Sequence, residues 1–215
     1  MKLKYVLLTL LIVVPVVLIV LLNTGKNHFK PLTIYYPEGI EDSSSTGGQH
    51  VIPPFALTDQ QGNPFTEANL KGKIVIADFI FTRCQTICPE MSSQLKRVQQ
   101  SFLNDPSVIL VSHTVDPEYD TTAVLSDYAK QYGAQYGKWF LLNGPKDKLY
   151  NLARKGYVLP VQDGDGGPED FVHSDRIVLV DKLGRIRGYY NGTDPLKVDT
   201  LVMETRLLML EEDQK

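Results

Sequence analysis

The chain has only two cysteines, four positions apart, in Cys84-Gln85-Thr86-Ile87-Cys88-Pro89. One close pair cannot staple a scaffold, and closing so short a loop gains little stability. The pair therefore reads as chemical. The thiolate is the form that ligates soft metals and attacks disulfides. Three intervening residues, one more than the usual Cys-x-x-Cys redox spacing, separate the sulfurs and suit the sharing of one ion. His173, in Phe171-Val172-His173-Ser174-Asp175, supplies an imidazole that can join them. Two thiolates and one imidazole form a soft site suited to Cu(I) and able to hold Cu(II). Zinc is chemically possible, but would call on a fourth ligand. His113, at the end of a predicted strand, is the candidate for that place and otherwise a rim residue. His28 and His50 lie in polar stretches and are expected to be solvated.

These side chains meet only if the fold brings them together. Residues 73–81, KIVIADFIF, form an almost continuous apolar run rich in β-branched residues, the pattern of a central strand buried on both faces. Cys84 follows directly. A helix is predicted over 89–102, with Met91, Leu95, Val98 and Phe102 on one side and Pro89 in its first turn, where a missing N–H costs nothing. A helix start lowers thiol pKa through its dipole and free N–H groups, and open α/β sheets place ligands at the carboxyl ends of their strands.

Further strands are predicted at 108–112 and 139–142, with helices at 122–132 and 146–153. Strands at 177–180 and 185–190 pair antiparallel about Asp181-Lys182-Leu183-Gly184, and an amphipathic helix covers 196–210. A hairpin at 55–59, turning through Gly62-Asn63-Pro64, precedes them. The order predicts an α/β, thioredoxin-like mixed sheet flanked by helices, with an N-terminal hairpin extension and one extra strand–helix unit. In such a fold the loop entering the 177–180 strand faces the cysteine pair, and His173 occupies it. The Gly- and Asp-rich residues 162–170 lack the EF-hand pattern and are expected to form a mobile loop.

Residues 5–22 carry no charge over 18 positions. As a helix they span ~27 Å, close to the ~30 Å hydrocarbon core of a bilayer, and a membrane helix tolerates Pro15. A cleaved signal peptide would have a shorter apolar region and a small-x-small site, which Leu21-Leu22-Asn23-Thr24-Gly25 does not offer. Lys2 and Lys4 place the N-terminus in the cytoplasm. The expected plan is a cytoplasmic 1–4, a transmembrane anchor at 5–22, a flexible polar tether at 23–51 and a domain at 52–215. That domain stands on the extracytoplasmic side of a bacterial plasma or inner membrane, with the tether giving it a reach of roughly 30 Å. The first 30 residues hold four lysines and no acid, which leaves 18 basic against 25 acidic residues, a net of −7. That balance argues against nucleic acid as a partner.

From Pro53 to Leu210 the chain resembles the Sco/SenC family of copper-binding assembly proteins. The segments that carry the resemblance are Asp78-Phe79-Ile80-Phe81-Thr82-Arg83-Cys84-x-x-x-Cys88-Pro89, Val115-Asp116-Pro117-Glu118-Tyr119-Asp120-Thr121, Trp139-Phe140-Leu141-Leu142-Asn143-Gly144 and Val172-His173-Ser174. The resemblance implies copper held by Cys84, Cys88 and His173. It also implies a role in maturing the dinuclear copper centre of cytochrome c oxidase subunit II, with copper from an unidentified donor. Many relatives carry Pro and Asp between the cysteines, where this chain has Gln85 and Thr86. A second function fits the same residues: a thiol–disulfide oxidoreductase acting on the oxidase's copper-site cysteines, with Cys84 attacking and Cys88 resolving. Asp116 and Asp120 are expected to cap the helix at 122, Arg83 either balances thiolate charge or is solvated, and Trp139 is expected in the core.

Overall fold

The most apolar run forms strand β3 (Ile74–Ile80), buried at every position. It pairs parallel with β4 (Val108–Thr114), which pairs parallel with β5 (Trp139–Asn143). The predicted hairpin is β1 (Ala56–Asp59) and β2 (Pro64–Thr66), added antiparallel beyond β5. On the other side of β3 come β6 (Arg176–Val180) and β7 (Ile186–Asn191), both antiparallel. The seven-stranded order is β2-β1-β5-β4-β3-β6-β7. This computed structural model describes residues 2–24, 31–35, 50–159 and 174–213, in two compact units, Met1–Pro31 and Leu32–Lys215.

Side chains alternate along each strand, so the sheet has two cores. Ile74, Ile76, Leu110, Trp139 and Leu179 face one way, against α2 (Ile87–Ser101), α3 (Thr122–Tyr132) and α5 (Pro195–Asp213). On α2 the buried residues Cys88, Met91, Ser92, Leu95, Val98 and Gln99 follow helical spacing. Met91 has no exposed surface, and truncating it to Ala would cost about 2–5 kcal/mol by opening a cavity against β3. Val75, Ala77, Phe79, Val111 and Leu142 face the other way, under α4 (Lys146–Asn151) and a π-turn (Leu152–Gly156). Sequence reasoning took 146–153 as one helix; the chain instead widens to a π-turn after Asn151.

The first unit holds α1 (Lys2–Thr24), with Pro15 inside it. The span expected at 5–22 falls within α1, whose described side chains are those of Lys4, Tyr5 and residues 10–20. Among the described residues no helix is long and apolar enough to cross a membrane.

Part of the expected tether is docked. The Tyr35 N–H donates to the Ile186 carbonyl at 2.9 Å, and the Tyr35 ring stands edge-on to Tyr189. Arg187 donates to the Leu32 carbonyl at 2.7 Å and the Thr33 carbonyl at 3.3 Å. Arg187 is itself 2% exposed and also binds Asp181 and Glu211. A buried guanidinium must find acceptors for its fork of donors, and here backbone carbonyls of the polar stretch complete the set. Composition alone cannot show that. His50 was expected to be solvated, but its ring is half-buried with Nε2 2.8 Å from the Gly156 carbonyl. His28, the rest of the tether and the loop at 162–170 lie outside the described residues.

Candidate metal centre

β3 ends at Ile80, and the chain turns through Thr82 and Arg83 to Cys84 before α2 begins at Ile87. Cys88 sits in the first turn of α2, buried in the core, while Cys84 is half-buried at the rim. The expectation that spacing of four would bring the sulfurs to one side holds: they lie within hydrogen-bond reach of each other and are not disulfide-bonded. Thr86 is the N-cap of α2, yet its side chain does not cap the helix. Its hydroxyl instead lies 3.6 Å from Cys84 Sγ.

The two thiols differ sharply in acidity. Partial burial opposes ionisation of Cys84, but the backbone N–H groups of Cys88 and Thr86, with the Thr86 hydroxyl and Cys88 thiol, override it. Together they hold Cys84 down at about 7. Burial pushes Cys88 strongly up, and the neighbouring Cys84 and Asp78 charges push it further. At neutral pH the pair thus rests with one charged sulfur at the surface and one protonated sulfur beneath.

The turn bearing Cys84 is held from below by two aspartates that sequence reasoning assigned to helix capping. Asp120 accepts from the Thr82 N–H at 3.2 Å, from the Thr82 hydroxyl, and from the Thr114 hydroxyl at 2.5 Å. Asp116 accepts from Arg83 Nε at 3.1 Å and Nη2 at 2.5 Å. The cap of α3 is Thr121, whose hydroxyl accepts from the Val124 N–H. An aspartate four before another in a β–α turn was the available signal. Its direction, back toward the cysteines, was not legible. Arg83 is accordingly not a free solvated residue; it is paired with Asp116 and lies 4.4 Å over the Tyr119 ring.

Beneath the pair lies a second polar group. Asp78, fully buried on β3, accepts from the Ser112 hydroxyl at 2.5 Å, and Ser112 accepts from the Trp139 indole at 2.9 Å. Trp139 is in the core, as expected. Tyr128 of α3 shares a 2.7 Å hydrogen bond with Ser92 and reaches the Cys88 carbonyl at 3.5 Å, bracing the first turn of α2.

His113 is not at the rim and does not join the cysteines. It has no exposed surface, and its register partners are Phe79 and Leu142, on the sheet face opposite Cys88. One step along a strand reverses the face: Ser112 points toward the cysteine side, His113 away. Its ring stacks on Phe79 at 4.9 Å and its Nε2 lies 3.1 Å from the Tyr157 hydroxyl. Burial drives its pKa down to about 3. His173 lies outside the described residues, and among those described no three His, Cys, Asp or Glu side chains form a metal cage. The strand that follows His173 is fixed: β6 starts beside the carboxyl end of β3, the sheet end that carries Cys84. There Asn191 donates to Asp175 at 2.6 Å.

Residues 43–209 match the sequence profile of the SCO1/SenC family. The SCO1 protein homolog of Bacillus subtilis (strain 168) is 28% identical over 169 residues, which are 74% of this chain and 87% of that protein. Among solved structures, BsSco, a Sco-family cytochrome c oxidase assembly protein with a disulfide switch, is 26% identical. It superposes with a TM-score of 0.63 over 83% of this chain and 99% of its own. The ScoI of Arabidopsis thaliana with copper bound is 28% identical, with a TM-score of 0.58 over 73% of this chain and 98% of its own.

Proposed function

The chain belongs to the SCO1/SenC family, and from that premise we propose that it is a copper chaperone, tethered to a membrane by its N-terminal helix. It binds one copper ion through Cys84, Cys88 and His173 and helps assemble the dinuclear copper centre of cytochrome c oxidase subunit II. The observation that carries this reading is the unequal thiol pair at the start of α2: a rim sulfur held near the thiolate form beside a buried one. Such a pair offers soft donors to Cu(I). Copper bound to the ScoI relative supports the choice of metal. The position of β6 beside β3 supports His173 as third ligand, and the uncharged residues 5–22 of α1 support the anchor. The domain then stands on the extracytoplasmic side of a bacterial plasma or inner membrane, receives copper from an unidentified donor, and passes it to partner thiolates by ligand exchange.

The test is copper stoichiometry and absorption spectrum of the reduced full chain after copper addition, for wild type, Cys84→Ser, Cys88→Ser and His173→Ala. Each single substitution is expected to abolish tight binding or to weaken it at least about 100-fold. Wild-type copper retention in His173→Ala would remove the imidazole from the site.

A second reading rests on the same asymmetry. A thiolate at Cys84 attacks one sulfur of an acceptor disulfide, and the other acceptor sulfur leaves as thiolate. Cys88 gives up its proton and attacks Cys84 of the mixed disulfide, which releases the second acceptor thiolate. The acceptor gains two electrons and the chain is left with a Cys84–Cys88 disulfide. His173→Ala separates the readings: exchange survives it, and copper binding does not.

A further inference from the structure

Arg83 and Tyr119 form a rigid, exposed pair beside Cys84 that the copper site itself does not use. Tyr119 is 47% exposed and the Arg83 side chain 51%. The Arg83 guanidinium lies 4.4 Å over the Tyr119 ring, with Nε and Nη2 both on Asp116. Asp116 is fixed in turn by its own N–H on the Thr114 hydroxyl at 3.0 Å. The backbone of Tyr119 is held on both sides: its N–H donates to the Asp116 carbonyl at 3.1 Å, and its carbonyl accepts from the Thr121 N–H at 2.8 Å. The freedom that a binding surface usually loses on association has therefore already been lost on folding.

Resting on the chaperone reading, we propose that Tyr119, with Arg83 stacked on it, is the docking platform on which a thiol-bearing polypeptide acceptor seats before reaching Cys84. Tyrosine and arginine are the residue types that dominate binding energy at protein interfaces. Their position is set by sequence: Arg83 immediately precedes Cys84, so whatever covers the pair is brought to the rim sulfur. Charge favours the same occupant. An acceptor that offers thiolates is anionic, and Arg83 is the cation at the lip, bordered by exposed Glu90 and Glu118, which make a polar rim. The cavities described, at Lys73 and Tyr136 and at Leu70 and Leu183, lie away from the patch. The pair thus presents a surface to a polypeptide, not a pocket to a small molecule.

The experiment uses the metal-free, reduced full chain in detergent micelles, titrated calorimetrically with the soluble copper-binding domain of oxidase subunit II. Tyr119→Ser is expected to weaken that association at least about tenfold. Tyr119→Phe keeps the ring and is expected to stay within about twofold of wild type. Leu183→Ser, at an exposed residue in the β6–β7 turn, is the control and is expected to change nothing. Copper affinity, measured separately by competition with a Cu(I) chelator, should be the same in all four proteins. An unchanged association in Tyr119→Ser overturns the platform, as does a wild type that gives no binding to this probe. A fall in copper affinity in Tyr119→Ser also overturns it, because the ring would then be a brace of the metal site. If no protein binds copper, the chaperone reading fails, while the calorimetry still judges the platform.

Discussion

Replacing Asp78 by Asn removes a titration that the fold has displaced. The carboxyl is fully buried, accepts one hydrogen bond from Ser112, and has no partner for Oδ2 among the described residues. Burial lifts its pKa from 3.8 to about 7, against the opposing pull of the Ser112 bond. An acid whose pKa is raised on folding holds more protons folded than unfolded between those two values. Stability therefore falls as pH rises through that window. At about 1.4 kcal/mol per pKa unit the full displacement is worth about 4 kcal/mol, of which about 3 kcal/mol is lost between pH 5 and pH 9. The Asn variant has no such loss. Its amide keeps an acceptor for Ser112 but puts an NH2 group where no acceptor faces it, which costs about 1–2 kcal/mol at any pH. Urea unfolding of the reduced full chain should thus find the variant less stable than wild type at pH 5 and more stable at pH 9. Parallel stability curves across that range would refute the reasoning and show that Oδ2 is solvated.

His113→Phe should act at the acid end. Burial depresses the His113 pKa from 6.5 to about 3, so the unfolded chain binds the extra proton and wild-type stability drops as pH falls below 6.5. The loss is about 2 kcal/mol by pH 5; acid unfolding followed by circular dichroism should show the Phe variant spared it, with copper content unchanged. Asp120→Asn loosens three hydrogen bonds under the Cys84 turn, and chelator competition should find copper affinity reduced about 10–100-fold, as is usual when the support of a ligand is removed. Alkylation of Cys84 by iodoacetamide should rise with pH about a midpoint near 7, while Cys88 is labelled far more slowly, as read by peptide mass spectrometry. Equal labelling rates would contradict the burial difference between the two thiols.

The strand pattern was legible because burial wrote it directly. The run from Ile74 to Ile80 is apolar on both sides because helices cover both faces of β3, and the shift from period two to helical spacing at Ile87 marks the turn that carries the cysteines. What escaped the sequence was direction and partnership. Asp116 and Asp120 read as caps because an aspartate before a helix usually is one. Nothing in their spacing shows that Thr82 and Arg83 will lie across from them. His113 read as a rim residue because its predicted strand stopped at Ser112. The observed strand runs on to Thr114, which places His113 inside a paired ladder and fixes its face by alternation. The docking of residues 32–35 depended on Arg187, a charge whose burial no local pattern announces.

The two polar groups buried in the sheet lie on opposite faces, and that division gives the cysteine pair its character. Asp78 and Ser112 lie on the same side as Cys88; His113 and Tyr157 lie on the other, too far in topology to share a proton or an ion with the sulfurs. Cys88 therefore faces a low-dielectric interior that contains a carboxyl, with no base of its own, and its thiol stays protonated. Cys84 faces backbone N–H groups and a hydroxyl, and its thiol ionises near neutrality. The resting pair carries one negative charge, not two, and avoids the repulsion of adjacent thiolates. In the copper reading, the ion meets Cys84 first, and only the ion's own charge can draw the proton from Cys88. Tight binding and proton release are then one event, which ties the affinity of the site to the burial of its second sulfur.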